Sequence, residues 1–366
     1  LVAGSMAGSI GVTINAVANG SGVGFTQGAN AISASAGGIS ITANTQAGTA
    51  YSSSGNLTAT NLPININTST TTGSGISTTG SITGGVVTIS STQSTSTASA
   101  TVISTTGLIT ANRLSMSATG GAASTIVSLG AITINSGGGN IAVTAMNLAA
   151  GSGTGITQTG AITNGAAGSS LIFTSNHSIT QSGAITLVAN TGTPAANVIY
   201  DTASGNRGSN ITTGALTLTS GTGSVINHVV RSAGGSITTG AIGTSTAPLP
   251  GTVSIDNTFG CIGSGCIPSS GFISASNVSS TTATNSVGVT IGGAINATGN
   301  ITVNGVSNGN NGISYTAAMT TSSGGIRLTG ITTTGTAISA SSAGILSATS
   351  TTSGVITLTG NSSAAS

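Results

Sequence analysis

The 366-residue sequence has no lysine, no glutamate and no tryptophan. Only six residues bear a formal charge: Arg113, Arg207, Arg231, Arg327, Asp201 and Asp256. About a quarter of an average soluble domain is charged, so most ionic chemistry is missing here. Without lysine there is no phosphate-loop lysine and no Schiff base. Two carboxylates give little for acid–base work and almost nothing for calcium. Four arginines cannot form the clustered cationic footprint that nucleic acids require. Trp is absent, and there are only three Tyr and four Phe. The aromatic girdles of an outer-membrane barrel therefore cannot be built. No run approaches 18 apolar residues, so no spanning helix is expected. The sequence opens at Leu1-Val2-Ala3 with no charged, apolar leader. It reads as a piece of a longer protein.

Glycine, serine, threonine, alanine and asparagine fill the space, with glycine alone at 59 residues. A flexible linker has such a composition. Disorder, however, goes with low hydrophobicity and high net charge. Here 37% of residues are hydrophobic and the mean hydropathy is +0.41. The protein is therefore expected to be ordered.

A short phrase recurs, glycine, any residue, Ile or Leu, then Thr. It appears at Gly130-Ala131-Ile132-Thr133, Gly160-Ala161-Ile162-Thr163, Gly183-Ala184-Ile185-Thr186 and Gly214-Ala215-Leu216-Thr217. Looser copies begin at Gly38, Gly55, Gly299, Gly325 and Gly354. The stretch Ile156–Thr163 is nearly repeated at Ile179–Thr186, and Ile211–Ala215 at Ile237–Ala241. β-Branched residues favour extended backbone, and alternation sends aliphatics to one face and hydroxyls to the other. Gly- and Asn-rich runs supply turns. No helical stripe is present. The expected fold is all-β, a parallel β-helix (β-solenoid) over residues 1–366, with about 16 rungs of about 23 residues. Tandem β-sandwich domains are the alternative, but they bury a Trp or Tyr and run about 100 residues each.

The Gly-x-Ile-Thr phrases between Gly, Ser and Asn turns resemble the repeat region of filamentous-haemagglutinin-like adhesins, the bacterial exoproteins of two-partner secretion. The resemblance extends over nearly the whole sequence. It implies a right-handed β-helix, export to the cell surface and a role in attachment. The Asn-Pro-Asn motifs of that family's secretion domain are absent, and no functional residue carries over.

Residues 244–272 break the repeat. They hold Pro248, Pro250 and Pro268 and both cysteines, Cys261 and Cys266. The interruption reads as a loop insertion projecting from the rod. The cysteines flank Gly-Ser-Gly, as a small disulfide loop would, or as two buried thiols. A metal site would need further ligands, and His177 and His228 are distant in sequence. Asp201 and Asp256, 55 residues apart, are expected about 10 Å or more from one another. That is too far for a glycosidase pair. The histidines read as surface or turn residues and the arginines as isolated, solvated ones.

The expected function is a non-enzymatic, extracellular structural or adhesive fibre that associates with itself. No cofactor, metal, nucleic acid or membrane insertion is expected. Carbohydrate or receptor adhesion, ice binding and polysaccharide cleavage on a β-helix are the alternatives. With so few ionisable groups, stability should hardly depend on pH.

Overall fold

A computed structural model describes residues 2–3, 5–121, 125–135, 139–148, 153–165, 169–188, 196–202, 209–218, 226–232, 234–257, 286–350 and 354–362. The protein divides into two compact units, Leu1–His177 and Ser178–Ser366. Both are β-solenoids. Within each, every described strand pair is parallel, and the turns stack their strands into three walls; in one turn of the second unit the second wall is a single bridging residue, Ile242. Sandwich domains, whose sheets are antiparallel, are ruled out.

In the first unit each wall has seven strands. A representative turn runs Ile76–Thr78 in the first wall, Ile82–Gly84 in the second and Val86–Gln93 in the third. The next runs Ile103–Thr105, Ile109–Ala111 and Arg113–Gly120. Register places like on like: Ile76 pairs Ile103, Ile82 pairs Ile109 and Ile89 pairs Met116. The second unit has six strands in its first and third walls. There Ile211 pairs Ile237, so the repeated phrase read from the sequence occupies equivalent positions in adjacent turns.

The residue pattern dictates this stacking. The period of two in each strand sends aliphatics inward, and Ile39–Thr45 alternates buried with half-buried residues along its length. One buried column of the second wall runs Ile32, Leu57, Ile82, Ile109, Ile132 and Ile162. Each such aliphatic group is worth about 1.5–3 kcal/mol of burial. Parallel strands fit because both neighbours of an inward residue are also inward residues.

In the close copies of the recurrent phrase (Gly130, Gly160, Gly183 and Gly214) the glycine is the corner between the first and second walls. A Cβ at Gly107 would lie 2.1 Å from Gly80 O, and one at Gly80 would lie 2.0 Å from Gly55 O. At Gly160 it would meet Ala131 N at 2.2 Å. These are backbone atoms of the turn below, which cannot swing aside. The corner is also short: Ile76 and Ile82, like Ile103 and Ile109, are six residues apart. The passage from the third wall back to the first is variable. It takes 12 residues from Ile301 to Ile313 but 36 from Val253 to Val289.

The turns are longer and fewer than 23-residue rungs would give. Phe25 pairs Tyr51, Ile179 pairs Ile211 and Ile237 pairs Val289, offsets of 26, 32 and 52 residues. The reason is the connections around the third wall, which vary widely in length: in the longest turn the third-wall strand Val253–Asp256 has only four residues, yet 36 positions separate Val253 from Val289. Within 244–272, residues up to Asn257 follow the stack. Thr244 to Ala247 forms a tight turn, Leu249 bridges Ala297, and Val253–Asp256 is a third-wall strand. Cys261, Cys266 and Pro268 lie outside the described residues.

Candidate functional site

The outer surface is an array of uncharged hydroxyls. In the first unit, Thr26, Ser52, Ser77, Ser104, Ser128 and Thr157 form one column on the first wall. Ser33, Thr58, Thr83, Thr110, Thr133 and Thr163 form another on the second. Neighbours in a column are one strand apart, about 4.8 Å. In the second unit Thr186 Oγ1 and Thr217 Oγ1 touch at 3.4 Å. Exposed asparagines join the turns where the ladder leaves an amide over. The Oδ1 atoms of Asn56, Asn140, Asn210 and Asn300 accept from the N–H groups of Ser81, Ser170, Ser236 and Gly325 at 2.8–3.0 Å.

The third wall of the second unit carries the ionic feature. Asp201, Arg231, Asp256 and Asn304 stand in register on successive strands. Arg231 donates to Asp201 Oδ2 in an ion pair whose two members are 23% and 16% exposed. Asn304 Nδ2 donates to Asp256 Oδ2 at 3.2 Å. Asp201 and Asp256 are therefore two strand spacings apart, about 10 Å along the wall. Their separation is the one expected, but a guanidinium stands between them. A carboxylate pair for glycoside cleavage flanks a reacting sugar at roughly 5–9.5 Å. Here the position between them is already filled. Arg231 is not the isolated, solvated residue that its sequence context implied. Arg113 does lie exposed on the third wall of the first unit. Arg327 stands between Thr302 and Thr357 in the second, and Arg207 is outside the described residues.

Behind the ionic column the interior is partly polar. Tyr200 and His228 are both inward and buried, with their rings edge to face at 5.9 Å. Tyr200 OH donates to Gln181 Oε1 at 3.2 Å, which also takes the Gly214 N–H at 2.7 Å. Gln181 in turn donates to the corner carbonyl of Gly183. Among the described residues neither ring nitrogen of His228 has a hydrogen-bond partner. Burial pushes its pKa down to about 4, because the charged imidazolium would lose its hydration. Burial also pushes the Tyr200 phenol far up.

The same device serves corners of the first unit. Gln27 Nε2 donates to Asn30 O at 2.8 Å and Asn56 O at 3.1 Å, while its Oε1 accepts from Tyr51 OH at 2.7 Å. Burial pushes the Tyr51 phenol up to about 12, opposed by its hydrogen bond with Ser53. Gln93 and Gln158 repeat the arrangement, reaching the carbonyls of Gly73 and Gly130.

Both histidines are thus interior, which corrects the surface reading. His177 is 2% exposed, its N–H donates to Ser175 Oγ at 3.0 Å, and its Nδ1 lies 3.2 Å from Asn176 Oδ1. Flanking polar residues in Asn176-His177-Ser178 and Asn227-His228 disguised this. Alternation could have revealed His228, since it falls two residues from Ile226 and from Val230. Tyr51, Tyr200 and Tyr315 are all buried, so the tyrosines offer no stacking platform to a sugar. Among the described residues no three metal-ligating groups cluster. A surface groove beside Ile10, Gly11, Gly37, Gly38 and Asn65 contains no titratable group.

No protein-family model, no curated protein and no solved structure matches this sequence.

Proposed function

We propose that this protein is a non-enzymatic structural and adhesive element of the cell exterior, a charge-poor fibre whose main partner is another copy of itself. The observation that supports the reading is the outer surface. Residues 1–177 carry a single formal charge, Arg113, and the first two walls of that unit present columns of Ser and Thr. In the second unit Asp201 and Arg231 neutralise one another. Little long-range repulsion then keeps copies apart, and salt has little to screen. With four arginines and no lysine, the protein also offers few sites to proteases that need basic residues. The resemblance to surface adhesins points the same way.

The test is light scattering and electron microscopy of the purified protein at rising concentration and neutral pH, in low and high salt. The expected result is concentration-dependent assembly of similar extent in both. A strictly monomeric protein, or assembly abolished by salt, would overturn the reading.

The hydroxyl columns favour one second reading, adsorption to an ice face, which asks for evenly spaced uncharged hydroxyls on a flat wall. Thermal hysteresis in dilute solution would support it. Freezing with ordinary crystal growth would dismiss it.

A further inference from the structure

Five asparagines in this protein precede glycine: Asn19, Asn164, Asn304, Asn308 and Asn311. At such a pair the following residue has no Cβ, so its backbone nitrogen can approach the asparagine amide. The nitrogen, its proton passing to solvent base, attacks Cγ. A new bond from that nitrogen to Cγ closes a five-membered succinimide, and the bond from Cγ to Nδ2 breaks to release ammonia. Water then opens the ring at either carbonyl and leaves aspartate or isoaspartate. The reaction needs a glycine N–H that is not held in a hydrogen bond, and that criterion separates the five sites.

The structure sorts the five sites on those terms. Asn164 is 1% exposed, and the Gly165 N–H donates to Ile134 O at 2.9 Å. Asn304 is buried inside a third-wall strand, paired with Asp256 on one side and Thr329 on the other. Its Nδ2 is bonded to Asp256. Gly305, the next residue, pairs with Gly330 in the same ladder. At Asn311 the Gly312 N–H donates to Thr336 O at 3.1 Å, while Asn311 Oδ1 accepts from the Thr336 N–H at 3.1 Å. All three are locked.

Asn19 and Asn308 differ. Asn19 is exposed at the end of a strand, and Gly20 turns there with φ of 86°. The carbonyl of Gly20 accepts from Ala47 N at 3.0 Å, but its N–H makes no bond among the described residues. Asn308 lies in a bend after the strand Ile301–Ser307, and Gly309 is exposed with its N–H likewise unpaired among the described residues. Thr333 Oγ1 lies against Asn308, within reach of its main-chain carbonyl and, at 3.0 Å, of its Oδ1, and has one proton to share between them.

We propose that Asn19 and Asn308 are sites of spontaneous, charge-changing modification, and that the fold protects Asn164, Asn304 and Asn311. In most proteins one added carboxylate is lost among many. This protein has two, with a formal net charge of +2. Each conversion removes one positive unit, so both together bring the net charge to zero. Ageing would then abolish the small net charge that the protein has.

The experiment incubates the unglycosylated full-length protein under mildly alkaline conditions, folded and in parallel in urea. Peptide mass mapping follows the amide-to-acid gain, and isoelectric focusing follows the intact protein. In the folded protein, conversion at Asn19 and Asn308 is expected to run at least about tenfold faster than at the other three sites. In urea all five should convert at similar rates. Folded-state conversion of Asn164, Asn304 or Asn311 that keeps pace would refute the proposal. So would intact Asn19 and Asn308 when the unfolded protein converts. An Asn19→Gln/Asn308→Gln double variant should lose the acidic bands; bands that persist would also count against it.

Discussion

His228 should make one part of this molecule sensitive to acid, although the protein has almost nothing to titrate. Unfolded, its imidazole takes a proton as pH falls through about 6.5. Folded, it resists protonation down to about 4, because Tyr200 and the aliphatic interior give the charge no solvent and no partner. The folded pKa lies below the unfolded one, so between these values the unfolded state holds more protons. The stability of the surrounding turns is then full above about pH 6.5 and declines toward pH 4, where the loss levels off. The difference corresponds to about 3 kcal/mol. No carboxylate faces the ring: Asp201, Asp256 and Arg231 stand on the outer side of the same wall. The assay is urea unfolding followed by far-ultraviolet circular dichroism at pH 7.5, 5.5 and 4. Hydrogen exchange of peptides from 196–256 adds a local reading, since stacked turns open in segments. His228→Leu should flatten the profile in that region, and the wild-type ring resonance should not move until the pH nears 4. A wild-type ring titrating near 6.5, or an unchanged acid profile in His228→Leu, would show that the cause is misassigned. The expected acid profile would mean that one well-buried group outweighs the scarcity of charge from which the sequence implies nearly pH-independent stability.

Two further outcomes test the architecture. Gly107→Ala places a methyl 2.1 Å from the carbonyl of Gly80 and should destabilise the first unit by about 1–3 kcal/mol, read as a lower melting midpoint; an unchanged midpoint would mean the corner can widen. Arg231→Met leaves Asp201 and Asp256 facing one another without a cation and should cost about 1 kcal/mol. That cost should shrink in an Asp201→Asn background or at high salt; equal losses in both backgrounds would mean the ion pair contributes nothing.

The walls were legible in the sequence because their cause is local. Ile132-Thr133-Ile134 must be a strand with two aliphatics on one side, and Gly130 before it marks the corner. The length of a turn was not legible. Third-wall strands such as Ile64–Thr70 open on Ile64 and Ile66 but continue with buried Thr68 and Thr70 among outward Asn and Ser, so their second half looks polar. The interior amides Gln27, Gln93, Gln158 and Gln181 were missed for a related reason. They point inward to serve corner carbonyls that exist only once the backbone is coiled. The ionic column needs two unequal offsets, 30 residues from Asp201 to Arg231 and 25 from Arg231 to Asp256. No fixed period brings those three residues together, so the separation of the carboxylates could be judged but not what fills it.

The unequal corners have an evolutionary consequence. A residue added between the first and second walls would collide with the glycine column, whereas 35 residues already lie between Val253 and Val289 without disturbing the ladders on either side. New segments can therefore enter along one edge of the coil and acquire specificity there, while the turns that carry them keep a sequence as plain as Gly-Ala-Ile-Thr.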